Sequence, residues 1–527
     1  MDHLKEPNFR NLKMKKGAVA AGHIETARTA ANILKNGGNA FDAAVAAHMT
    51  ACVVEPVLSS FAGGGFLLAK EVDGREVLYD FFVQTPHQKK DAKELDFFPI
   101  SANFGTTDQV FHIGPGSVAV PGTVKGLFEI HSDLCSLPFD KLAESAIALA
   151  RSGVEMNAFQ AGAFDIVNPI YRSNKVAEDI YRSHKVPGEL VRVGERLMQP
   201  QLANFMEQLS DKGPELFYNG EIAERIASVS NHDGGLLTMK DLAKYRVIRR
   251  EPLKFNYRDS SVSINPPPSS GGLLIGLALK LLEAEEKLPL FGTADYCELM
   301  AGVQKLTQDA RVKLEVEFAD EVNGESILHG RFIDMYRKQV KGRRKANRGT
   351  TQISIIDAVG NMASLTTSNG SGSGVMIPGT GVMLNNMLGE EDLNKPDFFQ
   401  WEPNRRISSM MAPAIAERSD KVKMVLGSGG SNRIRTAISQ VLVHFLDYKM
   451  EIDEAVKAPR IHLENGFLNI EGGFQESVYE LLGNEYPEMS IWTEPSLFFG
   501  GTHACTTGPH GFSCSGDLRR GGRSVVL

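Results

Sequence analysis

Between positions 23 and 56 the chain reads HIETARTAANILKNGGNAFDAAVAAHMTACVVEP, with apolar residues at helical spacing. The spacing predicts two helices, the first ending at the Gly37-Gly38 stop and the second running from an Asn39 cap to Pro56. The second is alanine-rich and apolar nearly all round, the pattern of a helix buried between layers. GGGFLLAKEVDGREVLYDFFVQTP then alternates like a hairpin turning at DGR. From about 130 to 250 helical patterns dominate, and LTMKDLAKYRV reads as a capped helix entering a strand. INPPPSSGGLLIGLALKLLEAEE gives a proline-rich turn followed by an amphipathic helix. After 350 the texture turns to β. TTQISIID and NMASLTTS alternate on either side of a short AVG turn, and KVKMVLGSGG, FLNIEGG and GGRSVVL follow as further strands. Helices early and strands late in one chain predict an α/β body of sheets covered by helix layers.

Composition narrows the class. The chain has 527 residues, 42% hydrophobic and 23% charged, with a net charge of −7. That is globular composition with neither a nucleic-acid footprint nor an anionic-membrane footprint. Cys52, Cys135, Cys297, Cys505 and Cys514 are widely spread and show no CxxC spacing, which argues against a disulfide framework or a zinc site. His48, His503 and His510 are too irregularly spaced for a metal set, and no cofactor is called for. The charged start has no apolar core of signal-peptide length, and no stretch is long enough to span a membrane; a soluble, cytoplasmic protein is expected. The 51 glycines are clustered, as in sites built from backbone.

The candidate chemistry lies where the β texture begins. Thr350 and Thr351 open an alternating strand, preceded by Gly349 and by RKQVKGRRKANRG, which has seven basic residues and no acid. A threonine hydroxyl is a weak nucleophile without a base beside it. A threonine made N-terminal by a cut has its own amine at hand, with a pKa of about 7.7–8. Gly349 suits such a cut, because its carbonyl is unshielded by a side chain. The plainer alternative is that two threonines simply favour a strand and the basic run is a solvated loop. VLGSGGSNRIRTA, at 425–437, offers glycines between a strand and a helix, where backbone N–H groups could hold an oxyanion. A phosphate loop competes with that reading, but GxxxxGK[ST] and GxGxxG spacings are both missing, here and in SSFAGGGFLL. Ser408 and Ser409 in RISSMMAP are either solvated turn residues or a carboxylate-holding pair.

Taken in order, ILKNGGNAFDAAVAA, FAGGGFLL, VPGTVKGL, NPPPSSGG, GTTQISIIDAVGN, GTGVMLNNM, RISSMMAP, GSGGSNRI and GDLRRGG resemble the γ-glutamyltransferase family of N-terminal-nucleophile hydrolases along essentially the whole chain. The resemblance implies a four-layer αββα sandwich formed by two segments, 1–349 and 350–527, which stay together after the precursor cuts itself between Gly349 and Thr350. It implies Thr350 as nucleophile, Gly429 and Gly430 as oxyanion-hole glycines, and Ser408 and Ser409 as holders of the substrate α-carboxylate. The supporting second hydroxyl falls between Thr366 and Ser368, with Ser368 favoured and Asn369 as a neighbouring substrate contact. The partners implied are a small γ-glutamyl or related acyl-amide donor and a water, amino-acid or peptide acceptor; a homodimer stays open. Two departures stand out. Phe82 occupies the place of the family's γ-glutamyl-binding arginine, and Glu390 that of its ammonium-binding aspartate, with Met387 where a polar contact is usual. Losing an arginine–carboxylate anchor weakens selection for an amino-acid head by a few kcal/mol, about 1.5–3 for a charged hydrogen bond. An acylase of different acyl preference, or a ligand-binding homologue that never processes, are the alternatives. Gln352 also replaces the family's common histidine at that position.

Overall fold

The computed structural model describes residues 17–103, 108–317, 349–391, 393–394 and 398–527. The basic stretch before Gly349, expected as a solvated loop, lies outside the described residues. Thirteen strands build two sheets: β1 (Gly17–Ala21), β2 (Gly64–Lys70), β3 (Glu76–Asp80), β4 (Ile248–Arg250), β5 (Leu253–Tyr257), β6 (Ser260–Ile264) and β7 (Thr351–Asp357). The remainder are β8 (Met362–Ser368), β9 (Ala414–Glu417), β10 (Lys423–Gly429), β11 (Gly501–Gly508), β12 (Gly511–Ser515) and β13 (Arg523–Val526). The first sheet runs β13-β1-β7-β8-β2-β3-β4 and the second β12-β11-β10-β9-β6-β5. Every pairing within both is antiparallel.

Period-two alternation sorts β7 into two faces. Ile353 and Ile355 pack with Ala363 and Leu365 of β8 against α1 (Ile24–Lys35) and α2 (Ala40–Val54). Gln352, Ser354 and Ile356 face the second sheet, where the Ser354 hydroxyl donates to the His503 carbonyl at 2.9 Å. Ser364 reaches the Leu426 carbonyl at 2.7 Å in the same way. The outer face of the second sheet is covered by α3 (Ser270–Leu282) and α5 (Arg433–Leu446), with α4 (Ala294–Glu317) packed beside them. The result is a four-layer αββα sandwich. Among the described residues, no helix is long and apolar enough to cross a membrane.

Asn39 caps α2 through a full capping box with Asp42, and all fifteen helix residues are buried. The helix predicted after the proline turn differs from expectation. In α3 only Ser270 and Lys280 escape full burial, so it is an almost wholly apolar helix packed into the core rather than an amphipathic surface helix. Its glycines allow this: a Cβ on Gly271 or Gly272 would fall about 2 Å from the carbonyl oxygens of Met410 and Asn265.

Candidate active site

Thr350 stands just ahead of β7, 5% exposed, on the wall of a cavity of about 860 Å³. The register pairs Thr351 with Thr367, which brings Ser368 opposite Thr350. Three hydroxyls therefore separate by face and position. Thr366 donates to Gln352 Oε1 between the sheets at 2.5 Å, and Thr367 lies 3.0 Å from His48 Nε2 on the α2 side. Ser368 alone of the three turns to the candidate cleavage site, donating to the Gly349 carbonyl at 2.6 Å while accepting from the Gly370 N–H at 3.0 Å. Thr350 Oγ1 donates to that same carbonyl at 2.8 Å. One amide carbonyl thus receives two hydroxyl donors, an arrangement that polarises it toward attack. A Cβ on Gly349 would meet the Gly370 carbonyl oxygen at 2.7 Å, so only glycine fits here.

The glycine turn lies on the other side of Thr350. Gly429 ends β10, and a Cβ on it would lie 2.2 Å from the Thr350 carbonyl oxygen. Gly430 has φ +126° and Ser431 φ +54°, so the chain reverses sharply before α5 begins at Arg433. Where this turn meets the cavity the lining residues are Ser431 and Asn432. Asn432 is fixed from both ends, accepting from Arg311 Nη1 at 2.6 Å and donating to Glu464 Oε1 at 2.8 Å. Gln352 packs face-on against Gly427, and its amide donates to Ser354 and Ser364, so a neutral hydrogen-bonding side chain stands two residues after Thr350.

The remaining candidates lie around the same cavity. Ser408 and Ser409 both line the cavity, with Ser408 Oγ donating to the Pro268 carbonyl at 2.8 Å and Ser409 Oγ accepting from the Met411 N–H at 3.1 Å. Glu390 lines it as well, beside Gly370. Asn369 is fully buried and is not among the lining residues; the structure brings it next to the cavity wall but not onto it. Phe82 lines the cavity with its ring stacked on Phe66, centroids 5.5 Å apart.

Three neighbours were not singled out from the sequence, although Arg406 opens RISSMMAP and Arg520 lies in GDLRRGG. Arg406 lines the cavity near Phe82, held by Asp80 at 3.4 Å, by the Phe82 carbonyl and by the face of Tyr245. Arg520 Nη1 lies 3.5 Å from the Thr350 carbonyl, and burial, aided by the charge of Arg433 and opposed by Asp517, pulls its guanidinium down to about 9. Glu55, 2% exposed, accepts from Thr351 Oγ1 at 2.9 Å and from Thr26 Oγ1 at 3.3 Å; burial pushes its carboxyl up to about 7 despite both bonds. Only VVEP at the end of α2 marked that place in sequence, and nothing in it points to Thr351.

The site is thus built around a doubly bonded glycine carbonyl next to a threonine at a strand start. A model of the γ-glutamyltranspeptidase family matches residues 26–527. The chain belongs to the γ-glutamyltranspeptidase family. Its family relatives include the glutathione hydrolase proenzyme of Escherichia coli (strain K12), 30% identical over 96% of this chain and 91% of that protein. They also include the acylase ACY 1 proenzyme of Pseudomonas sp. (strain V22), 31% identical over 89% of this chain and 86% of that protein. The cephalosporin acylase from Bacillus halodurans shares the fold, with a TM-score of 0.83 over 100% of this chain and 98% of that one at 24% identity. This γ-glutamyltranspeptidase-family protein is therefore an enzyme of the γ-glutamyltransferase and acylase group of N-terminal-nucleophile hydrolases.

Proposed function

We propose that the chain is a self-processing threonine amidohydrolase and acyltransferase with Thr350 as nucleophile. The observation that carries the reading is the Gly349 carbonyl, which accepts from both Thr350 Oγ1 and Ser368 Oγ. In the first stage Thr350 Oγ attacks the Gly349 carbonyl carbon, the acyl group shifts from nitrogen to oxygen, and water hydrolyses the ester. That leaves a carboxylate on Gly349 and a free amine on Thr350. In the second stage this amine takes the proton of Thr350 Oγ as it attacks a substrate amide. N–H groups of the Gly429–Gly430–Ser431 turn hold the oxyanion, and the leaving amine departs with the proton. Water then hydrolyses the acyl-enzyme, or an amino-acid or peptide amine accepts the acyl group.

The segments 1–349 and 350–527 would remain one body after the cut. Strand β7 lies between β1 and β8, while β2 from the first segment pairs with β8 from the second. Separation would break both sheets. A second reading concerns the acyl group. Phe82, Met387, Ile407 and Met410 line the cavity, and Arg406 is already held by Asp80, so an apolar acyl amide fits this wall better than a γ-glutamyl head.

Intact mass of the purified protein, under denaturing conditions and over a time course, tests the first reading. Two fragments meeting at Gly349–Thr350 are expected, and a chain that stays whole while hydrolysing amides would overturn it. Rates on γ-glutamyl and phenylacetyl anilides then decide the acyl class.

A further inference from the structure

Cys505 and Cys514 lie directly opposite one another on the paired strands β11 and β12, and both carry free thiols. Directly opposed residues of an antiparallel pair are about 4.5–5.5 Å apart at Cα. That lies inside the about 4.4–6.8 Å range a disulfide spans without moving the backbone. We propose that these two residues are a reversible dithiol–disulfide site, taking low-molecular-weight disulfides as oxidant, at the seam between the two sheets.

The two thiols are chemically unlike and touch each other. Cys514 is only partly buried, on the edge strand β12, beside Ser524 and the backbone of Val19 and Val525. The neighbouring Cys505 side chain draws its thiol below the ordinary range, which raises the share of thiolate. Cys505 is completely buried, 3.2 Å from the Ser354 carbonyl on β7, and burial pushes its thiol well above the ordinary range. Cys514 is thus the less buried, more acidic sulfur, and Cys505 is a resolving thiol beside it. Cys52, Cys135 and Cys297 lack such a partner: Cys52 bonds Ser59, Cys135 sits by Asp42, and Cys297 lies in the apolar core near Glu298.

The exchange balances in two steps. The Cys514 thiolate attacks one sulfur of the small disulfide, whose S–S bond breaks and releases one thiolate. Cys505 then gives up its proton and its sulfur attacks Cys514 Sγ, expelling the second small thiolate. Two protein thiols become one disulfide, and one small disulfide becomes two thiols. Cys505 no longer has an S–H to give to the Ser354 carbonyl, four residues along from Thr350.

The test uses the full chain and bis(2-hydroxyethyl) disulfide, which contains no γ-glutamyl or acyl-amide bond, with denatured intact mass after acid quench. The expected result is loss of two hydrogens, reversed by a reducing thiol, with the new bond joining the peptides that contain Cys505 and Cys514. Cys505→Ser is expected to stop at a mixed disulfide gaining one half of the reagent, and Cys514→Ala to take up nothing on its remaining thiols. An unchanged mass in the unmodified sequence overturns the site, as does a mixed disulfide that never resolves. So does loss of two hydrogens that persists in Cys514→Ala. These outcomes do not depend on self-cleavage, because the two cysteines lie on the same side of Gly349.

Discussion

Two walls of one cavity are built differently. On the Thr350 wall, polar groups converge on a single point: Thr350 and Ser368 both donate to the Gly349 carbonyl, and the glycine turn closes against the Thr350 carbonyl. On the wall lined by Phe82, Arg406 and Ser408, polar groups are spent on the protein itself. Ser408 donates to Pro268, and Arg406 is divided among Asp80, Tyr245 and the Phe82 carbonyl. Groups already aimed at a reacting carbonyl need no reorganisation when charge develops there. Groups already satisfied add little to binding a charged head, because a ligand must displace a bond as good as the one it forms. The Thr350 side thus presents groups aimed at the Gly349 carbonyl, and the Phe82 side combines apolar residues with polar ones already bonded within the protein.

The comparison breaks most severely at Thr350. Thr350→Ala is expected to give no fragments on denaturing mass analysis and no amide turnover, while circular dichroism stays that of the folded chain; an active uncut variant would remove the first wall from the chemistry. Next in size is Ser368→Ala, which takes away one of the two donors to the Gly349 carbonyl. Self-cleavage should slow by about 10²–10³-fold, the usual loss for one oxyanion donor, as followed by fragment appearance over time. A rate within a few-fold of the unaltered chain would show that Ser368 only braces the turn.

The Phe82 wall should respond in ratio rather than in rate. Phe82→Arg is expected to raise kcat/KM for a γ-glutamyl anilide over a phenylacetyl anilide by about 10–100-fold, the worth of one charged hydrogen bond of about 1.5–3 kcal/mol. Self-cleavage should be nearly unchanged. Equal effects on both substrates would mean that the two walls are not separable. The smallest effect on activity belongs beneath the strand, at Glu55. Its folded carboxyl is raised from 4.5 to about 7 by burial, so its stabilising share is full below about 4.5 and is lost as pH rises through 7. That loss is on the order of 3 kcal/mol. Glu55→Gln should flatten the fall in stability between about pH 4.5 and 7 in denaturant melts, and an unaltered slope would show that Glu55 is not buried as an acid.

Much of the catalytic wall could be read beforehand because it is local. The Thr350 strand, the Gly349 position and the glycine turn are each contiguous in the chain, and alternation alone puts Ser368 and Thr366 on one face and Thr367 on the other. Ser368 was favoured over Thr366 from the resemblance alone, and the strand register, which pairs position 351 with 367, places 368 rather than 366 beside 350. The Phe82 side was legible as the Ser408–Ser409 pair, as Glu390 and Met387, and as a substitution, Phe82 where an arginine was expected. Arg406, 324 residues further on, takes the adjoining space.

By itself the sequence determined sheets covered by helix layers, the order of motifs whose resemblance implied the αββα sandwich, and the residues at the candidate cut, because hydrophobic period, turn chemistry and contiguous motifs are properties of neighbours in the chain. Tertiary structure alone decided that α3 is buried along almost its whole length, that Glu55 sits under Thr351, that Asn369 stops short of the cavity, and that Cys505 faces Cys514. Each of these depends on which distant segment packs against the residue, and burial and pairing at long range leave no period along the chain.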